Sequence, residues 1–252
     1  MREFIDGNTA IARGALAAGC DFFAGYPITP ATPILLAMMR DLPRVGGVAV
    51  QGEDELASIG FCIGAAMTGR RVFTATSGPG ISLYSENIGL AIMGEVPLVI
   101  VDVQRMGPAT GGATTAAQGD LQFIRWCTSG GYPIIALCPA TVADCYTLTM
   151  RAFDLAERFR CPAFVLWAEV AHRSHRSVRF RELRSGSRRQ SRHRWGCKRQ
   201  RRDPYPPGQL VAVRFHSGPV ATRHSGFGGR PNDLSLQAKR CQSLGRRKAS
   251  CS

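Results

Sequence analysis

Residues 97–103 read Pro-Leu-Val-Ile-Val-Asp-Val. The run lacks the alternation of apolar and polar residues that a half-buried strand shows, so it predicts a strand buried on both faces. Working outward from it, we predict further strands at 20–24, 47–51, 71–76, 134–137 and 163–166. Helices are predicted between the strands, at 8–19, 30–40, 53–68, 81–93 and 141–159. Asn8 or Thr9 can cap the first helix and Gly19 can end it. This alternation predicts an α/β fold with a doubly wound parallel sheet.

The loops that follow the strands hold the residues best suited to bind a ligand. In a doubly wound sheet, ligands bind beyond the carboxyl ends of the strands. Gly, Pro, Thr and polar residues are concentrated in the four loops at that edge, 25–30, 51–55, 76–80 and 104–119. The predicted fold therefore places one binding site at this edge of the sheet.

Charge divides the chain into two parts. Residues 1–170 contain 11 Arg, no Lys and 15 acidic residues, a net charge of −4, whereas residues 171–252 have a net charge of +18. The second part has no Ile and no Met, and its apolar content is too low for a packed core. We therefore predict a folded domain, residues 1–172, followed by a disordered Arg-rich tail, residues 173–252.

Several classes of chemistry are excluded from the folded domain. It has no His before His172, which excludes Ser-His-Asp and Cys-His nucleophilic catalysis. The nine cysteines form no CxxC pair, so we expect reduced thiols and no metal or iron–sulfur site held by this chain. The charged N-terminus and the lack of a long apolar run predict neither a signal peptide nor a membrane span. We expect a cytoplasmic protein.

Glu55 is the first candidate for a chemical role, because it stands near the start of a helix that follows a strand. A carboxylate there can simply stabilise the helix dipole, and Glu53 is a rival two residues earlier. Gly64 follows Glu55 after nine residues, and a strand then leads to the turn Ser-Gly-Pro-Gly at 77–80. This order resembles the pyrimidine-binding domain of thiamine-diphosphate enzymes, in which a glutamate hydrogen-bonds N1′ of the aminopyrimidine to activate the cofactor. The nine-residue spacing favours Glu55.

A second stretch narrows the resemblance. Residues 25–30, Gly-Tyr-Pro-Ile-Thr-Pro, resemble the signature of the alpha subunits of 2-oxoacid:ferredoxin oxidoreductases. Residues 101–105, Val-Asp-Val-Gln-Arg, and the loop at 107–121 are similar to the same family, with Ala109 where the family usually has Ser. The 25–30 loop argues against the alternative of a transketolase-like enzyme.

The resemblance implies a role for each matching residue. Glu55 would be catalytic and would also bind the cofactor. The other cofactor-binding positions implied are Tyr26, Pro27, Ser77, Gly78 and Pro79. Thr29 and Arg105 would bind the substrate, since a hydroxyl and a planar guanidinium suit the carboxylate of a 2-oxoacid. The local alternatives are that Thr29 only caps the helix at Pro30 and that Arg105 forms a surface ion pair.

The resemblance also implies a reaction and its partners. Thiamine diphosphate would be shared with a separate beta subunit, because this chain lacks the family's Gly-Asp-Gly … Asn motif for the diphosphate and Mg²⁺. The beta subunit would also carry a [4Fe–4S] cluster. The expected reaction is oxidative decarboxylation of a 2-oxoacid, with 2-oxoglutarate favoured. Coenzyme A would be consumed, acyl-CoA and CO₂ formed, and ferredoxin reduced.

The tail departs from the family, whose alpha subunits continue with a second α/β domain. One hypothesis is that the tail is translated out of frame in place of that domain, leaving an inactive truncated subunit. The alternative is a functional basic tail, because a net charge of +18 would give salt-dependent, non-specific binding to nucleic acid.

Overall fold

The central feature of the fold is a six-stranded parallel sheet. We analysed a computed structural model, and the structure describes residues 2–129, 132–168 and 176–179. In chain order the strands are β1 (Arg2–Ile5), β2 (Phe22–Gly25), β3 (Val48–Gln51), β4 (Val72–Thr76), β5 (Val99–Gln104), β6 (Ile135–Leu137), β7 (Ala163–Ala168) and β8 (Arg176–Arg179). The sheet has the order β3-β2-β4-β5-β7-β6, and β1 pairs with β8 in a separate antiparallel ribbon. The doubly wound parallel sheet predicted from the sequence is confirmed.

Helices cover both faces of this sheet. They are α1 (Gly7–Ala17), α2 (Thr32–Asp41), α3 (Glu55–Met67), α4 (Pro79–Leu83), α5 (Ser85–Met93), α6 (Asp120–Arg125) and α7 (Val142–Phe159). Short 3₁₀ turns lie at Pro43–Val45 and Thr110–Gly112. None of the helices in the described part of the chain is long and apolar enough to cross a membrane.

The two faces of the sheet bury two separate cores. One core packs α1, α2 and α7 against side chains such as Phe23, Phe73 and Trp167. The other packs α3, α4, α5 and α6 against side chains such as Ile100 and Phe164. All six residues of β5 are buried, which confirms that the apolar run at 97–103 predicts a strand covered on both faces.

The start of the first helix was predicted wrongly. Asp6, and not Asn8 or Thr9, caps α1, because its carboxylate accepts a hydrogen bond of 2.7 Å from the main-chain N–H of Thr9. Asn8 is instead fully buried, and its side-chain amide donates a 2.9 Å hydrogen bond to the carbonyl of Pro30. Gly19 follows the helix end with φ of +79°, as expected for a residue that ends a helix.

Two other differences concern the segment after β4 and the tail. The single helix predicted at 81–93 is divided at Tyr84 into α4 and α5, and the buried Tyr84 hydroxyl shares a 3.0 Å hydrogen bond with Thr74. The sequence did not predict α6 or the β1–β8 pair. Residues 176–179 of the predicted tail form β8, and the predictions for the rest of 173–252 lie outside the described residues.

Candidate functional site

Arg105 ties together three loops at the carboxyl edge of the sheet. It follows β5, is only 3% exposed, and donates from Nη1 to the carbonyl oxygen of Thr29 over 2.7 Å. Its Nη2 donates over 3.5 Å to the carbonyl of Thr110, and its main-chain N–H donates over 3.2 Å to Asp120 Oδ2. The structure thus brings together Thr29 and Arg105, the two predicted substrate-binding residues. Burial of Arg105 contradicts the alternative of a surface ion pair.

The turn after β4 packs directly on Arg105. Gly78 has φ of +48° and ψ of −115°, which L side chains rarely adopt. A Cβ at this position would lie 2.7 Å from Cγ of Arg105 and 2.9 Å from Nε, so only glycine lets the turn approach so closely. The buried hydroxyl of Ser77 donates a 2.6 Å hydrogen bond to the carbonyl of Val103, which joins the ends of β4 and β5. Pro79 begins α4.

Glu55 lies on the other side of the same turn. It is the first residue of α3, but the helix is capped by Asp54, which accepts a 2.7 Å hydrogen bond from Ala57 N–H. Glu55 is therefore not needed as the cap, and its side chain is 7% exposed. A Cβ at Gly80 would collide with the hydroxyl of Thr76 and would lie 2.9 Å from Oε1 of Glu55. The turn thus packs against the Glu55 carboxylate and the Thr76 hydroxyl so closely that a side chain at position 80 has no room.

The remaining predicted residues lie in the loop between β2 and α2. Tyr26 is half-buried, whereas Pro27 and Thr29 are exposed. The hydrogen bond from Asn8 to the Pro30 carbonyl fastens the end of this loop to α1. Among the described residues no hydrogen bond joins this loop to Glu55. The predicted residues therefore form two groups, one around Arg105 and one around Glu55, with the 77–80 turn between them.

Sequence reasoning missed a pair of buried carboxyl groups beside Arg105. Asp102 in β5 is fully buried, and Asp120 at the start of α6 is 5% exposed. Desolvation raises the pKa of Asp102 well above its ordinary value, and the negative charge of Asp120 raises it further. Desolvation also raises the pKa of Asp120. The signal available in the sequence was a carboxylate inside a Val-rich strand that is buried on both faces.

Buried polar atoms without hydrogen-bond partners are concentrated at this edge. Among the described residues there are eight such side-chain atoms, and five belong to the carboxyl ends of β4 and β5. The five are Thr76 Oγ1, Asp102 Oδ1 and Oδ2, Gln104 Nε2 and Arg105 Nε. Because buried polar groups are normally paired, such a concentration is typical of a site that a ligand or partner completes. Within the described residues, no cluster of three or more His, Cys, Asp or Glu side chains could hold a metal ion.

Comparison with known proteins shows the family of the chain. The family model described as pyruvate flavodoxin/ferredoxin oxidoreductase, thiamine-diphosphate-binding, matches residues 13–221. The chain belongs to this family. The match to the thiamine-diphosphate-binding domain continues past residue 172, and the domain boundary there stays a prediction.

Curated relatives of this thiamine-diphosphate-binding domain include several oxidoreductase subunits. The chain is 47% identical over 209 residues to the 2-oxoglutarate synthase subunit KorA of Methanocaldococcus jannaschii, covering 83% of this chain and 56% of the relative. Identity is 55% over 167 residues to the KorA subunit of Methanothermobacter thermautotrophicus, covering 66% of this chain and 44% of that subunit. Identity is 45% over 181 residues to the ketoisovalerate oxidoreductase subunit VorB of the same organism, covering 71% of this chain and 51% of that subunit. The chain thus spans about half the length of these relatives.

A solved structure shares the fold. It is the 2-oxoglutarate:ferredoxin oxidoreductase from Magnetococcus marinus, with 2-oxoglutarate, coenzyme A and succinyl-CoA bound. The chain is 43% identical to it, with a TM-score of 0.64, over 66% of this chain and 29% of that one.

Proposed function

We propose that the chain is the alpha-type subunit of a 2-oxoacid:ferredoxin oxidoreductase and supplies the pyrimidine-binding half of a thiamine-diphosphate site. The observation that carries the proposal is the buried Glu55 carboxylate facing the Gly80 turn, at the same sheet edge as the buried Arg105. Relatives named 2-oxoglutarate synthase support 2-oxoglutarate as the 2-oxoacid. Neither the family match nor these relatives favour nucleic-acid binding through the tail.

The residues around Glu55 fit the aminopyrimidine of thiamine diphosphate. Among the described residues no group donates a hydrogen bond to the Glu55 carboxylate, so it is free to bond N1′ of that ring. The main chain at Gly80 lies close beside the carboxylate without a side chain that would cover it, and the unpartnered Thr76 hydroxyl offers a further hydrogen bond. Bound thiamine diphosphate supplies an acceptor for the electron pair that remains when a 2-oxoacid loses CO₂. We assign the other cofactor contacts to Tyr26, Pro27 and the turn at 77–79.

Arg105 suits the carboxylate of the 2-oxoacid. Its guanidinium is buried and held by the neutral carbonyl oxygens of Thr29 and Thr110, and it forms no ion pair within the described residues. A buried positive charge without a bound anion is costly, so an incoming carboxylate would be favoured there. The exposed Thr29 is adjacent and can donate its hydroxyl to the same substrate. We propose that coenzyme A then accepts the acyl group and that ferredoxin accepts the electrons.

We propose that a beta-type subunit docks on the outer face of α3 and brings the diphosphate and Mg²⁺ site and the [4Fe–4S] cluster. After Glu55 this helix contains no charged residue, and it exposes Leu56 and Phe61, each 48% exposed. Gly60 and Gly64 on the same helix have open space above them. An apolar helix face with small residues permits close approach of another chain. Because this helix begins at Glu55, a subunit docked on it would lie next to the aminopyrimidine site.

The test is co-expression with a beta-type subunit, followed by co-purification and an assay of viologen reduction that depends on the 2-oxoacid and coenzyme A. Glu55→Gln should lower kcat at least about 100-fold, because the proton-linked hydrogen bond to N1′ is lost. Glu53→Gln is the matched control and should stay near wild type, because Glu53 is exposed. Equal effects of the two variants would contradict the assignment of Glu55.

Docking is tested separately with two variants of Gly64. Gly64→Ala should bind the partner nearly as well as wild type, whereas Gly64→Arg should prevent co-purification without lowering the Tm of the chain. Co-purification of Gly64→Arg at wild-type yield would refute docking on this face. A wild-type chain that fails to bind any beta-type subunit would favour the alternative of an inactive truncated subunit.

The described cysteines agree with a reducing compartment, and we propose that the protein is cytoplasmic. Cys20, Cys62, Cys127, Cys138, Cys145 and Cys161 are all free thiols. Disulfide bonds are rare in the cytoplasm of most organisms, so free thiols are the form expected there.

A further inference from the structure

The buried carboxyl groups of Asp102 and Asp120 have no role in the function proposed so far. Asp102 lies in β5, where it is the register partner of Thr76 in β4 and of Leu166 in β7. Neither of its carboxyl oxygens has a hydrogen-bond partner by ordinary geometry, although Asp102 is fully buried. Such a group is too costly to leave ionised and isolated in a protein interior.

Asp120 is the ionisable group that interacts with it. The two side chains are close enough for a hydrogen bond to influence both, and the main-chain N–H of Gly78 stabilises both carboxyl groups. Two ionised carboxylates can only accept hydrogen bonds and repel each other. One added proton converts one of them into a donor and removes the repulsion. A shared proton would therefore supply the side-chain hydrogen bond that the Asp102 oxygens lack.

The surroundings decide which of the two carboxyl groups carries the proton. Asp120 accepts the main-chain N–H of Arg105 over 3.2 Å and is stabilised as an anion by the positive charge of Arg105. Asp102 has no such cation and is completely removed from solvent. The other charged group facing this region is Glu55 of α3, which lies beside Thr76. Burial and the negative charge of Asp120 both disfavour a negative charge on Asp102.

We propose that Asp102 and Asp120 form a carboxyl pair that shares one proton and positions Arg105 to bind an anionic substrate. Asp102 donates to Asp120, and the Asp120 carboxylate holds the main chain of Arg105. The guanidinium is thereby directed at the carbonyl oxygens of Thr29 and Thr110, and within the described residues no carboxylate forms an ion pair with it. Assignment of the substrate carboxylate to Arg105 rests on the proposed function, whereas the shared proton does not.

The shared proton is tested on the full chain alone, by urea unfolding between about pH 5 and pH 8. Wild type keeps the proton on Asp102 when folded and releases it on unfolding, so folding weakens as pH rises. Asp102→Asn carries no such proton. The folding equilibrium constant of wild type should therefore fall with rising pH, relative to that of Asp102→Asn. The expected decrease is about tenfold per pH unit, until the pH reaches the raised pKa of Asp102. Asp154→Asn, which removes an exposed carboxylate, is the control. The pH dependence of its folding equilibrium constant should be the same as that of wild type.

If the stabilities of wild type and Asp102→Asn changed in the same way between about pH 5 and pH 8, the proposal of a shared proton would be wrong. Infrared spectra give a second measurement that does not depend on unfolding. A protonated carboxyl band should be present in wild type at pH 7 and absent from Asp102→Asn. Absence of this band from wild type would also contradict the proposal.

The positioning role is tested in the complex with the beta-type subunit. Asp102→Asn keeps a neutral donor toward Asp120 and should change the KM for the 2-oxoacid by no more than about threefold. Asp102→Leu removes the donor and should raise that KM about tenfold or more, with the KM for coenzyme A unchanged. A merely structural role predicts equal changes in both KM values and would overturn the positioning role. If Asp102→Asn and Asp102→Leu raised the KM for the 2-oxoacid equally, an ionised Asp102 would be needed. That result would also contradict the proposed positioning role. An inactive wild-type complex would refute the proposed function, while the unfolding curves would still decide the proton.

Discussion

Replacement of Gly78 by Ala should damage both folding and substrate binding. At φ of +48° and ψ of −115° a residue with a side chain is strained by about 1–3 kcal/mol. The new methyl group would also lie 2.7 Å from Cγ of Arg105, and relief of such a collision costs about 1–3 kcal/mol. We therefore expect Gly78→Ala to lower the free energy of unfolding by roughly 2–5 kcal/mol.

The same collision predicts a change in substrate binding. Arg105 has to move by about half an ångström or more to restore ordinary van der Waals contact with the methyl group. Misplacement of a binding group by about 1 Å can cost 100-fold in activity, so the KM for the 2-oxoacid should rise about tenfold. Urea unfolding and the viologen assay measure the two effects.

Gly64→Ala is the matched control for Gly78→Ala. Gly64 is also a glycine near the proposed site, but it lies inside α3 with nothing within 4 Å of a built Cβ. Alanine is favoured over glycine in a helix, so this variant should be more stable by about 0.5–1 kcal/mol. If Gly78→Ala had the same urea midpoint and the same KM for the 2-oxoacid as wild type, the inference that the turn packs closely on Arg105 would be wrong.

Three other predictions test separate parts of the chain. Asn8→Ala should lower the free energy of unfolding by about 1–3 kcal/mol, since the Pro30 carbonyl loses its buried donor; urea unfolding with wild-type stability would contradict this. Burial raises the pKa of Cys62 to about 12 and of Cys127 to about 11, so both thiols stay protonated at pH 8. Mass spectrometry should therefore find them alkylated only after unfolding, and labelling of the native chain would show that they are accessible. Re-sequencing of the gene tests the tail: a frame that encodes 173–252 without any error would reject the out-of-frame hypothesis.

The sheet and most of its helices could be predicted because these elements carry local signals. The run at 97–103 has no polar alternation, and β5 is buried on both faces in consequence. The turn at 77–80 combines two glycines and a proline, which favour a tight approach followed by a helix start, and the structure shows both. These signals depend on a few neighbouring residues, so the chain sequence alone contains them.

Features that depend on residues far apart in the chain could not be predicted in this way. Asn8 resembles a helix cap in sequence, but its side chain is used by Pro30, 22 residues away. Tyr84, which separates α4 from α5, shares a hydrogen bond with Thr74 of β4, a contact that only the fold shows. Asp102 and Asp120 lie in different elements, and only the fold shows that they are neighbours. The assignments of Glu55, Thr29 and Arg105 came from the family resemblance, and the structure adds their burial and contacts without testing their roles.

The distribution of unsatisfied atoms indicates where the described part of the chain is incomplete. If the shared proton satisfies one oxygen of Asp102, the unpartnered atoms left at this edge are its other oxygen and those of Thr76, Gln104 and Arg105. Each buried atom without a partner costs about 1–3 kcal/mol, a penalty that the two packed cores of the sheet offset. Molecules that hydrogen-bond these atoms would bind the folded chain and not the unfolded one, so they should stabilise the fold. Among the described residues, the unpartnered atoms are most concentrated at this edge, so a cofactor, a substrate or a partner subunit gains most by binding there.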